Sequence, residues 1–210
     1  MSKERITILN NEKLLRQISV EVDFSNDTYL DDIAKLKEFC QNDGMFALAP
    51  VQIGIPKRII YIRNTTSDTN KNFDIAYDEG KIFINPIILK RKGLTRFLEG
   101  CASCPDIDVA KSLEFNINES QLVSIVDRPY LMEIEYYDID GNKKNEALEG
   151  FESTVFSHEY DHLNGILHID LTPEIFKMDL QQRTEYRKMH PYEIISKDCE
   201  YEPLKKQLKK

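Results

Sequence analysis

The chain of 210 residues has only four histidines and four cysteines, and no apolar run reaches 18 residues. The missing run excludes a membrane-spanning helix. The opening stretch, MSKERITILNNEKLLRQISVEVD, lacks both the long apolar core and the small-residue cleavage site of a secretory signal. Basic charge is not in excess either. With 36 acids against 28 bases the net charge is −8, which argues against a specific DNA-binding domain. Cys40, Cys101, Cys104 and Cys199 do not form a disulfide framework in a chain of this length without a signal, so a reducing cytosol is expected. There is no internal repeat and no domain boundary before residue 170. At 41% hydrophobic and 30% charged, the chain has the composition of one or two globular domains with a real core.

Elements can be read from spacing. In NDTYLDDIAKLKEFCQN (26–42), Leu30, Ile33, Leu36 and Cys40 recur at helical spacing behind the caps Asn26 and Asp27. KRIIYI (57–62) and KIFINPIILKRK (81–92) read as strands, with a polar loop from 63 to 80 between them. Residues 131–150 read as a hairpin turning at Asp-Gly. A helix follows from about Gly150 to Gly165, with Phe151, Val155, His158 and His162 on one face. A second helix is expected over 172–189, with Thr172 as cap and Pro173 in its first turn. The basic end KKQLKK reads as frayed. The fold class is α+β: small antiparallel and mixed sheets around a central helix. The expected organisation is a catalytic domain over 1–170 and a helical extension with a basic tail over 171–210.

Three of the four histidines crowd into FSHEYDHLNGILHID (156–170). On a helix, His158 and His162 lie one turn apart on one face and can hold one metal ion. Glu159 is rotated by roughly 100° from His158, close enough to reach water at an ion without being a ligand. A third ligand is needed. His168, His190, a carboxylate and a cysteine are candidates, and Cys101 in LEGCASCPDI (98–107) is the best placed. Three classes of function remain open: a hydrolase with an open metal position, an H-E-x-x-H endopeptidase with a ligand further downstream, and a non-catalytic domain whose Cys101, Cys104, His158 and His162 close a structural zinc site.

EGCAS (99–103) and HEYDHLNG (158–165) together resemble two motifs of the peptide deformylases, and GMFALAPVQIG (44–54) resembles the third, a Gly-rich segment ending in Gln. The similarity covers roughly residues 5–170. The chain departs from the family pattern at several points. Met45 and Ala47 stand at glycine positions, Pro50 at a frequent alanine, Ser157 at a glutamine and Ala102 at a leucine. About fifteen extra residues lie between Pro105 and Arg128, where they can reshape the cleft.

The resemblance implies a cytosolic, bacterial-type hydrolase that removes the formyl group from N-formylmethionyl polypeptides. It implies one divalent ion per chain, natively Fe²⁺ with Zn²⁺, Ni²⁺ or Co²⁺ accepted, on Cys101, His158 and His162. The chemistry of Cys and His ligands alone would suggest zinc. Glu159 would move the proton, and Gln52 and the Ala102 backbone would hold the oxyanion. Phe151 and Val155, with Phe46 and Phe97, would line a methionine pocket. Ala47 and Gly100 would flank a peptide bound as an added strand beside 45–49. With the family-like region starting within a few residues of Met1, no organellar leader is expected. A monomer is expected, with no membrane partner. The segment 171–210, with 9 bases against 7 acids, is expected to be dispensable for chemistry and suited to touching ribosomal RNA.

Overall fold

A computed structural model describes residues 5–63, 80–108 and 119–202. In chain order the elements are α1 (Glu12–Leu15), α2 (Thr28–Asn42), β1 (Ala47–Leu48), a 3-10 turn (Pro50–Ile53), β2 (Ile59–Ile62) and β3 (Lys81–Pro105). They continue with β4 (Gln121–Arg128), β5 (Leu131–Tyr137), β6 (Lys143–Glu149), α3 (Phe151–Leu163), a second 3-10 turn (His168–Asp170), β7 (Ile175–Met178), α4 (Leu180–Met189) and β8 (Glu193–Glu200). The α+β class holds, but the strands join into one sheet. Every pairing of named strands is antiparallel, and among the described residues parallel pairing is confined to the bridge Val20–Lys57.

The organising strand is β3. Its first residues pair with β2, Ile84–Lys92 pair with β5, Lys92–Arg96 with β8, and Thr95 onwards with β4. One strand serves so many partners because it bends. Asn85 adopts φ 49° before Pro86, and its side-chain amide bonds both Val22 N–H (2.8 Å) and Val22 C=O (3.0 Å), which stabilises a left-handed residue inside a strand.

α3 is buried on nearly all sides. Phe156 and Leu163 pack with Phe83, Met132 and Ile134 in the main core. α2 lays Ile33, Leu36 and Cys40 against Ile53, Ile59 and Ile84, as its spacing required. Asn26 accepts from Thr28 N–H, whereas Asp27 makes no side-chain cap bond. α3 ends at Leu163 with Asn164 as its C-cap, followed by Gly165 at φ +69°; a Cβ there would meet Arg16 O at 2.1 Å, so only glycine fits.

The expected helix over 172–189 is corrected. Residues 175–178 form β7, an edge strand paired with β4, and the helix starts only at Leu180, capped by Asp179. Asp179 and Gln182 exchange bonds in a capping box, at 2.8 and 2.9 Å. Residues 193–200 form a further strand on β3. The segment after 170 therefore supplies two strands to the sheet as well as a helix. Of the longer connection after Pro105, residues 121–128 are the sheet strand β4, and 109–118 lie outside the described residues, as do 64–79 of the polar loop and the basic tail from 203.

Truncation after Asp170 would remove the partners of β3 at 92–96 and of β4 at 121–124. The expected outcome is a loss of thermal stability of several degrees or more, read by calorimetry or circular dichroism, because unpaired sheet edges and uncovered apolar surface remain. A truncated chain that melts with the full-length protein would show the segment to be an independent appendage.

Candidate active site

Three parts of the chain meet at one cleft. The first is the 3-10 turn. Pro50 occupies its first position, where a missing N–H goes unused. The Ala49 N–H donates to Gln52 Oε1 at 3.0 Å, which aims the other end of the amide: Gln52 Nε2 lies 3.1 Å from Ser103 Oγ and 3.5 Å from Cys101 Sγ.

The second part is the end of β3. Its register on β4 runs to Gly100↔Val123 and resumes only at Pro105↔Gln121, so residues 101–104 bulge out of the ladder. Bulges re-aim side chains beside active sites. Alternation along a regular strand, three residues apart, would point Cys101 and Cys104 to opposite faces, as the sequence alone leads one to expect; the bulge overturns that. Both lie in one buried cluster with Leu15 and Leu167, and the Cys104 thiol lies near enough to act on Cys101. That contact first, and then His162 and His158 against the opposing effect of burial, hold the Cys101 thiol well below its usual range. The same contact and burial push Cys104 up.

The third part is α3. His162 Nε2 lies 3.3 Å from Cys101 Sγ. The ligand atoms of Cys101, His158 and His162 all lie within 4.8 Å of one another. His158 Nδ1 is held at 2.9 Å by Glu99 Oε2, leaving Nε2 as its free donor atom. A carboxylate behind a ligating imidazole is the usual way to fix its tautomer. Burial opposes charge on His158, but Cys101 and Glu99 outweigh it and raise its pKa. Glu99 is itself gripped by Arg128 through two bonds, at 2.7 and 2.9 Å. Arg128 also reaches Asp161. Burial works against the Glu99 charge, and Arg128 overrides it, keeping this carboxyl below its usual range.

This donor set fits a divalent ion: one thiolate and two imidazoles, with a fourth direction open to the cleft. Glu159 stands beside it, 5% exposed, and its Oε2 has no hydrogen-bond partner among the described residues. Burial raises its pKa above the usual carboxylate range, with His158 and His162 pulling the other way.

The cleft brings together the residues that the resemblance implies for the site. Phe46, Ala47, Gln52, Phe97, Gly100, Cys101, Ala102, Phe151, Val155, His158 and Glu159 line it, and His162 sits behind in the donor cluster. The Phe151 ring meets Phe97 edge-on at 5.4 Å and Phe46 at 6.3 Å, forming an apolar pocket. The other candidate ligands are outside the donor group, although the His168 ring packs 5.7 Å from that of His158. His168 Nε2 contacts Leu122 O at 3.1 Å, His190 caps α4 and packs on Tyr186, and Cys104 is not in the donor group. Sequence reasoning missed Glu99, Arg128, Asp161 and Arg187. Glu99 and Asp161 lie inside the quoted motifs, so their charge among apolar neighbours was the available signal.

The description "Polypeptide deformylase" belongs to the family model that matches residues 4–177. A peptide deformylase of Pelagibacter ubique is 34% identical over 169 residues, covering 79% of this chain and 84% of the relative. Two solved structures are each 29% identical with a TM-score of 0.60. A probable peptide deformylase from Synechococcus phage S-SSM7 covers 79% of this chain and 97% of its own. A Plasmodium falciparum peptide deformylase covers 88% and 91%. Since the match spans the 3-10 turn, the bulge and α3 alike, the chain belongs to the polypeptide deformylase family.

Proposed function

We infer that this chain is a metal-dependent hydrolase that removes the formyl group from N-formylmethionyl polypeptides. The observation that supports the reading most directly is a buried carboxylate, Glu159, with a free oxygen beside a three-donor cluster on the wall of an apolar cleft. Cys101, His158 and His162 would hold the ion, which supplies Lewis acidity toward the formyl carbonyl and toward water. Kinship favours Fe²⁺, and the same donors suit Zn²⁺, Ni²⁺ or Co²⁺.

The chain's own residues do the rest. Glu159 takes a proton from the attacking water and returns it to the leaving amine. The Gln52 amide exchanges its long bond to Cys101 for the developing oxyanion, joined by the Ala102 N–H. One such donor is worth about 2.7–4 kcal/mol. The pocket of Phe46, Phe97, Phe151 and Val155 takes the methionine side chain, and the peptide passes Ala47 and Gly100.

The place of action is the cytosol where new polypeptides emerge. A ribosome contact would fall to Lys188, Lys197 and the tail, because Arg183 and Arg187 of α4 bond backbone carbonyls of their own chain. The deciding experiment is an anaerobic assay of formyl-Met-Ala-Ser against casein, with iron protected from oxygen. Release of formate with casein intact is expected; casein cleavage without formate would favour an endopeptidase.

Two substitutions separate a catalytic ion from a closed structural one. Cys101→Ser is expected to lose the ion. Cys104→Val is expected to keep a stoichiometric ion at affinity reduced by about tenfold, as for other partners that support a ligand. Metal analysis after dialysis reads both. Equal loss in the two variants, with an inactive parent, would establish a four-ligand structural site.

A further inference from the structure

α4 places one cation in the cleft. Among the described residues, Arg187 is the only lysine or arginine that lines the cleft. Its Nε and Nη2 both donate to Leu98 O, at 3.2 and 2.9 Å, and its guanidinium stacks over the Phe97 ring at 5.0 Å. The fork is therefore fixed in place. Nη1 has no hydrogen-bond partner among the described residues, and no carboxylate there lies within 4 Å of Arg187. The segment that carries it is braced from behind. Tyr192 packs edge-on against Phe97 (6.0 Å) and Phe151 (5.5 Å), its hydroxyl lies 3.4 Å from Thr154 Oγ1, and β8 pairs with Thr95 and Arg96.

A partly desolvated charge with no carboxylate in contact is costly to keep unless a ligand completes it, and the carboxylate that acts on it from a distance, Glu99, is already held by Arg128 and His158. Burial and the nearby Arg183, against Glu99, lower its pKa to about 10, so it remains charged at neutral pH. Leu98 precedes Cys101 by three residues, roughly 10 Å of extended chain. That is the span of two to three residues of a peptide whose formyl group lies at Cys101. The deformylase reading places the methionine side chain against Phe97 and Phe151, which leaves Arg187 facing the next residues of the polypeptide.

Resting on that reading, we propose that Arg187 is a substrate-recognition residue whose Nη1 donates to an acceptor oxygen of the polypeptide beyond the formylmethionine. The acceptor is a backbone carbonyl or an acidic side chain. Arg187 thereby makes α4 part of the substrate site and rewards a polypeptide over a formylmethionine alone.

The test compares kcat/KM for formyl-Met methylamide, formyl-Met-Ala-Ser amide and formyl-Met-Glu-Ser amide in the metal-loaded parent, Arg187→Gln and Arg187→Lys. The readout is the gain from extending the substrate, a ratio from which any general fall in activity cancels. Loss of one charge-assisted bond is expected to cut that gain about tenfold in Arg187→Gln. Arg187→Lys, which keeps the charge, should recover part of it. A cut in both peptides assigns the backbone carbonyl; a cut confined to the Glu peptide assigns the carboxylate. Extension gains within twofold of the parent for both peptides would overturn the proposal. Absence of formate release from all three substrates in the parent would instead overturn the deformylase reading itself.

Discussion

Glu159→Ala is expected to lower kcat/KM for a formyl-Met peptide by about 10²–10⁴-fold while the ion stays bound. The magnitude is that of a positioned general acid–base group. The two halves of this expectation come from different observations. Metal retention follows because the donor group is Cys101, His158 and His162, and Glu159 is not part of it. The rate loss follows because its carboxylate lines the cleft with one oxygen unpartnered, at a pKa raised by burial. A carboxylate held at this position can accept the proton from water and return it to the leaving amine. Glu159→Gln keeps the shape and should lose as much, which separates proton transfer from packing. Anaerobic kinetics with metal analysis on the same sample decide it. A variant that lost the ion but kept its activity per ion would assign Glu159 a structural part and sink the proton-transfer role.

What the sequence made legible was set by the range of the interactions involved. His158, Glu159 and His162 share one helix, so their arrangement follows from 3.6 residues per turn. Cys101 and Gln52 could be connected to them only through the resemblance, since nothing local ties together segments so far apart in the chain. The orientation of Cys104 was misread because alternation along a strand assumes a regular ladder, and the bulge at 101–104 breaks it. Residues 172–178 were misread because Thr172-Pro173 imitates a helix start; the competing signal was Asp179 with Gln182, a capping box seven residues later. β7 and β8 pair with distant partners on β4 and β3, so tertiary pairing overrides the local pattern. Arg187 enters the cleft only because β8 returns the chain to β3, a contact across about ninety residues that no local window contains.

The buried charges behind His158 give the second large effect, and it concerns stability. Arg128→Met is expected to destabilise the protein by about 3–5 kcal/mol, because Glu99 would remain buried without its partner. The side chains of Arg128 and Glu99 are 4% and 5% exposed, and Asp161 draws on the same guanidinium. At roughly 2–4 °C per kcal/mol for a domain of this size, the melting temperature should fall by about 6–20 °C. Metal affinity should fall with it, by about 10–100-fold, since a loosened Glu99 no longer fixes the His158 ring. The control is Arg96→Met. Arg96 makes an equally good two-bond pair with Asp127, at 2.7 and 2.9 Å, but its side chain is 49% exposed. Solvent screens that pair, so its loss should cost no more than about 1 kcal/mol. The double variant Arg128→Met with Glu99→Gln should recover part of the stability, since the stranded charge is gone, yet recover none of the metal affinity that depends on the carboxylate at His158 Nδ1. Calorimetry of the four proteins with and without metal separates the two effects. A melting temperature for Arg128→Met within 2 °C of the parent, by the same conversion less than about 1 kcal/mol, would show that Glu99 finds other support and that Arg128 does not organise the site.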